Sequence, residues 1–168
     1  MLAHLFPKVD VPVVQLLINA LKPLDYHLDL AVKLSVLRKQ DVMIISSGNV
    51  VHNLRLIERS RPDIGFDWAH RFDDMVARQL TEAPAGILTA VEHPDFHMAV
   101  PTPDHFIPLL YTSGLAAADR DAQALLRGYA IGSMSMTCYG VGMKEAACEE
   151  ANGAAQLPKG VPPEQTNI

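Results

Sequence analysis

A fully apolar run, Val42-Met43-Ile44-Ile45, leads into Ser46-Ser47-Gly48-Asn49, and no other stretch constrains the fold as tightly. Such a run reads as a strand buried on both faces, the kind found in parallel sheets covered by helices. Residues 11–18 have the same valine- and leucine-rich character, and Pro12 is tolerable at a strand's start. Between the two runs, residues 24–39 place Leu30, Leu34 and Leu37 at helical spacing. Asp25 near the start of this span and Arg38-Lys39 at its end suit the helix dipole. Strand, helix, strand is a βαβ unit. The expected fold is therefore α/β, a mainly parallel central sheet with helices on its faces.

Further along, residues 66–80 carry Trp68, Phe72, Met75 and Val76 as the apolar stripe of an amphipathic helix, which Pro84 ends. A short helical piece is expected over 87–91, before His93-Pro94. Thr102 and Pro103 have the chemistry of an N-cap and first helical residue, opening a helix through Leu109, Leu110 and Leu115. Residues 131–139 alternate like a strand, with Met134, Met136 and Cys138 on a core face and Ser133, Ser135 and Thr137 opposite. From Lys144 the chain is rich in Ala, Glu, Gly and Pro. The expected organisation is one domain over 1–143 and a frayed or disordered tail over 144–168.

A 168-residue chain has room for one ordinary domain with a real core, and 49% hydrophobic with 20% charged residues suits a soluble globular protein. A net charge of -5 without a basic cluster argues against nucleic acid as a partner. No apolar run approaches the roughly 20 residues that span a bilayer, so no membrane partner is expected. Cys138 and Cys148 show no metal-site spacing, and the first residues lack signal-peptide character, so a cytoplasmic setting is expected.

His52 follows the Gly48-Asn49 turn, at what would be the carboxyl edge of the strand, where ligands bind in α/β folds. It reads either as a site residue or as a satisfied histidine beneath a loop. With Thr102 as N-cap, His105 is the third residue of its helix. The positive end of a helix disfavours imidazolium there, as a metal ligand or general base requires. A capping-side histidine with no further duty fits equally. Asp104 reads first as an acidic residue at a helix start, and His97 as a loop histidine near the same pocket. His4, His27, His70 and His93 look ordinary, and Cys138 reads as a packing residue. Ser46-Ser47-Gly48 has no general-base motif beside it, and no glycine-rich phosphate loop is present.

The segment Ser46-Ser47-Gly48-Asn49-Val50-Val51-His52-Asn53-Leu54-Arg55 resembles part of the class III extradiol ring-cleavage dioxygenases, in their 4,5-DOPA dioxygenase-like branch. Phe6-Pro7 through Leu16, Pro101-Thr102-Pro103-Asp104-His105-Phe106 through Leu110, and Gly132-Ser133-Met134-Ser135-Met136 resemble the same branch in the same order. The resemblance covers roughly residues 5–139 and implies the C-terminal portion of an extradiol dioxygenase domain. It implies non-haem Fe(II) or Zn(II), a small aromatic diol of the catechol type, and O2. His52 and His105 take the positions of catalytic or metal-ligating histidines, with Asn53, His97, Asp104 and Tyr139 near the substrate. The family's remaining ligands match nothing in this chain, so the metal is expected to be incompletely liganded. Two readings follow: a ring-cleaving enzyme, or a truncated non-catalytic remnant or subunit that needs an oligomeric or complementing partner to supply the missing ligands. Uncovered apolar faces favour association.

Overall fold

Helices, not a parallel sheet, build the described residues of this chain. The computed structural model describes residues 6, 8, 10–119 and 121–143, which fall in two compact units. In the unit formed by Met1–Leu17 with Glu149–Ile168, residues 10–17 have no regular structure and are exposed, Val14 at 94%. The other unit, Ile18–Cys148, contains every element below.

Helix α1 (Leu24–Leu34) continues into a 3-10 turn over Ser35–Gln40, close to the expected span, with Asp25 in its first turn and Lys33 in its last. Helix α2 (Asp67–Glu82) buries Phe72, Val76 and Leu80, with Trp68 and Met75 packed at the margin, so the stripe read from the sequence faces the core. A 3-10 segment, Pro84–Glu92, and short α3 (Phe96–Ala99) lead to α4 (Ile107–Asp119). Gly114 lets α4 approach α1 closely: a Cβ there would lie 2.5 Å from Ala31 Cβ and 2.9 Å from the Leu28 carbonyl. His27, fully buried in α1, spans the same contact. Its Nδ1 meets the Tyr111 hydroxyl at 3.1 Å and its Nε2 the Asn19 carbonyl at 3.2 Å, so it is a satisfied core histidine.

Four short strands follow: β1 (Ala122–Leu126), β2 (Tyr129–Ala130), β3 (Met134–Ser135) and β4 (Cys138–Val141). They form two antiparallel ribbons, β1 with β4 and β2 with β3. The expected mainly parallel central sheet is therefore corrected: among the described residues no parallel sheet exists. Residues 11–18 and 42–47 belong to no strand. The physical reason is pairing, because an apolar run becomes a strand only when neighbours accept its backbone hydrogen bonds.

Two further corrections concern local chemistry. Thr102 and Pro103 do not start a helix, because residues 101–106 form bends and turns and α4 begins at Ile107. The Pro103 carbonyl instead accepts from Phe106 N and Ile107 N. The expected 131–139 strand breaks into β3 and β4, and its faces are reversed, with Ser133 and Ser135 buried and Met136 and Cys138 exposed. The expected tail over 144–168 lies outside the described residues. Among the described residues no helix is long and apolar enough to cross a membrane.

Candidate functional site

The peptide around His52 is irregular, yet every side of it is bonded. Val51 exchanges bonds with Ser135, its N–H donating to Ser135 Oγ at 3.2 Å and its carbonyl accepting from Ser135 N at 3.0 Å. His52 N donates to the Ala99 carbonyl at 3.0 Å and Asn53 N to the Ser133 carbonyl at 3.1 Å. Ser133 Oγ returns a bond to the Asn53 carbonyl at 2.7 Å. These bonds explain the reversed serine face: both hydroxyls are needed inside, against backbone that no regular ladder satisfies. The serines are the site residues that alternation misread. Their signal was two small hydroxyls at strand spacing, polar enough to bond backbone and small enough to bury.

Gly48 brings the second histidine close. A Cβ on Gly48 would lie 2.4 Å from the His105 carbonyl, and Asn49 N donates to that same carbonyl at 3.1 Å. The His52 and His105 rings consequently approach to 5.1 Å between centroids, tilted by 39°. The two differ sharply in environment. His52 is 4% exposed, while the His105 side chain is 54% exposed, with Nε2 3.4 Å from Asp104 Oδ2. Both nitrogens of His52 face main-chain oxygens, Nδ1 at 3.0 Å from the Asn49 carbonyl and Nε2 at 2.9 Å from the Thr102 carbonyl. Burial lowers the His52 pKa, the two carbonyls oppose it, and His105 adds to the lowering. The Thr102 hydroxyl, with His105 and His52 nearby, holds Asp104 below the usual carboxylate range.

Asn53 lies beside the pair. Its Nδ2 donates to the Met98 carbonyl at 2.8 Å and its Oδ1 accepts from Arg55 N at 3.2 Å, which fixes the peptide that follows His52. His97 is exposed on α3, its ring edge-on to Phe96 at 5.4 Å, and no hydrogen bond ties it to the histidine pair. Tyr139 belongs elsewhere, since burial and then the Asp73 charge push its hydroxyl pKa up. The His70 ring packs on Tyr129 at 4.0 Å, tilted by 48°, and His93 Nδ1 accepts from Asp95 N, so both have structural duties.

The described residues do not fit a mononuclear metal on their own. Among them no three His, Cys, Asp or Glu side chains are grouped to hold an ion, and both nitrogens of His52 are already engaged. His105 with Asp104 offers at most part of a ligand set.

Paired histidines on a glycine-asparagine turn and a Thr-Pro-Asp-His loop match a recognisable class: the chain bears a family-level resemblance to the extradiol, DOPA-like dioxygenases. It is 33% identical over 145 residues, 84% of its length, to the 4,5-DOPA dioxygenase extradiol of Escherichia coli strain K12. It is 28% identical over 137 residues to the protein of the same name from Beta vulgaris, and 25% over 154 residues to that from Portulaca grandiflora. The match takes in 54%, 51% and 52% of these proteins, so the chain spans about half the length of the curated relatives it matches. The crystal structure of an uncharacterized protein from Escherichia coli K12 superposes with a TM-score of 0.73 at 33% identity, over 81% of this chain and 57% of the other. No family model matches.

Proposed function

We propose that this chain contributes one wall of an extradiol-type ring-cleavage site and acts on a small aromatic diol with O2 only with further protein that completes the metal's ligands. That protein is either more of the same polypeptide or a separate subunit. The observation that carries the reading is the 5.1 Å approach of two otherwise dissimilar histidines, one sealed and one open. The incomplete ligand set and the relatives' greater length support the need for completion.

The two histidines then divide the work. His105, exposed and free of main-chain bonds at its ring, is the group that faces the metal. His52 handles protons. Burial keeps it neutral at rest, and a neutral imidazole has only one N–H for its two carbonyl neighbours. The nitrogen without a proton has no bond to lose, so the ring turns it from its carbonyl toward a phenolic hydroxyl, and the proton it takes finds an acceptor when the ring returns. Asn53 positions His52, while Asp104 orients His105. A reducing, cytoplasmic setting goes with this reading and with the exposed free thiol of Cys138.

The test is metal content and catechol cleavage, followed by absorbance, for the chain alone and with the part of the Escherichia coli relative that it does not match. Alone it should hold little metal and open no ring. The mixture should gain both properties, with His105→Ala losing the metal and His52→Ala keeping the metal but losing cleavage. Stoichiometric metal and ring-opened product from the chain alone would overturn the need for completion. An inert, metal-free mixture would leave a non-catalytic remnant as the correct reading.

A further inference from the structure

We propose that Arg71 and Asp95 are positioning residues for His52: their two-bond ion pair ties the single turn of α3 to α2, and that turn holds the peptide that carries His52. This rests on the reading above of His52 as the group that handles protons.

Two consecutive carbonyls of α3 reach the site. The Met98 carbonyl accepts from Asn53 Nδ2 at 2.8 Å and the Ala99 carbonyl from His52 N at 3.0 Å. Three residues on, the Thr102 carbonyl meets His52 Nε2 at 2.9 Å. One short segment thus supplies three of the acceptors that seat His52 and its neighbour. Yet α3, Phe96–Ala99, is a single turn, and a helix that short has no stability of its own. Something outside it must set where these carbonyls point.

Asp95 shows what does. It is the N-cap residue of α3, where an aspartate ordinarily turns its carboxylate onto the helix's free N–H groups. Here the side chain makes no capping bond. Both oxygens face Arg71 of α2 instead, Oδ2 accepting from Nε at 2.9 Å and Oδ1 from Nη2 at 3.0 Å. The Asp95 carbonyl meanwhile accepts from Met98 N and Ala99 N, the residues whose own carbonyls reach the site. The rings of Phe72 and Phe96, 6.0 Å apart, also join α2 to α3, but an apolar contact leaves the turn free to roll. A planar two-bond fork does not. A fully solvated ion pair would hold little, and the Arg71 side chain is 58% exposed. Asp95 decides the matter. Its side chain is only 12% exposed, so its carboxylate has lost most of its water and takes its side-chain hydrogen bonds from Arg71.

NMR on the isotope-labelled chain tests this without metal or substrate. In Arg71→Ala the His52 amide should exchange roughly tenfold faster, and the Asn53 side-chain amide signals should move toward those of a free amide. The Leu80 and Leu115 amides should keep their protection. Arg71→Lys, which keeps the charge without the fork, should fall between. Asp95→Ala should match Arg71→Ala, and combining the two should add nothing. In the mixture that completes the site, the same variants should lower kcat at unchanged metal content and KM. Unaltered His52 and Asn53 signals in Arg71→Ala would overturn the proposal, whatever the mixture does. So would a loss of protection spreading through α2 and α4, which would make the pair a strut for the whole fold. Altered signals with kcat unchanged in an active mixture would also overturn it. An inert mixture of unsubstituted chains would sink the functional reading instead, and the NMR signals would still judge the anchor.

Discussion

Asp73 and His52 are both buried, and their surroundings differ in kind. Asp73 Oδ2 accepts from Arg127 Nη2 at 2.8 Å, from Thr137 Oγ1 at 2.8 Å and, more distantly, from the Tyr129 hydroxyl at 3.4 Å. Arg127 also reaches Asp74 at 2.6 Å. A carboxylate held by a guanidinium and side-chain hydroxyls is fixed in place and joins α2 to the β-ribbons. His52 has only main-chain oxygens at its nitrogens and a half-exposed imidazole nearby. Such a group can gain or lose a proton without stranding a counter-ion. The first cluster holds structure together, and the second is suited to chemistry.

The sharpest way to break this contrast is Asp73→Ala. It removes one of the two carboxylates that hold Arg127 and the acceptor of Thr137, and should cost about 3 kcal/mol in urea unfolding. Gly48→Ala comes next. Its methyl would meet the His105 carbonyl, and displacing that segment should cost about 2 kcal/mol and separate the two histidine rings, visible as changed imidazole NMR shifts. Ser133→Ala leaves the Asn53 carbonyl without its side-chain donor and should cost about 1 kcal/mol.

The pH dependence carries its own sign. Because folding lowers the His52 pKa, the unfolded chain binds the proton more readily. The stability His52 contributes is present above the ordinary value of 6.5 and is lost as pH falls through its lower folded value. His52→Asn should flatten that slope in denaturation measured between pH 7 and 5. An unchanged slope would place the titration on another group. His105→Ala should shift stability least, within about 0.5 kcal/mol, since its ring is half in solvent. A large loss there would make His105 structural and end the contrast.

The helices were legible because amphipathic stripes are local. Phe72 and Val76 lie one turn apart and need no distant information to declare a buried face. The histidine pair was legible from short motifs, and the rings do approach each other. The helix-dipole argument for His105 failed, because Pro103's carbonyl closes a turn before α4 begins. Residues 42–45 misled for a different reason. Apolar sequence states a demand for neighbours, while pairing depends on what else is present. The serines misled because a hydroxyl counts as polar in any periodicity, whereas Ser133 and Ser135 satisfy buried backbone.

His52 is pinned by partners 80 and 84 positions away from its neighbours in sequence, Ser133 to Asn53 and Ser135 to Val51. A ribosome emitting this chain delivers the imidazole long before the serines that seat it. Contacts of such range close late, after the local helices have formed. The histidine pair is thus among the last parts of the molecule to acquire its shape, and loss of either serine bond loosens the peptide that carries His52.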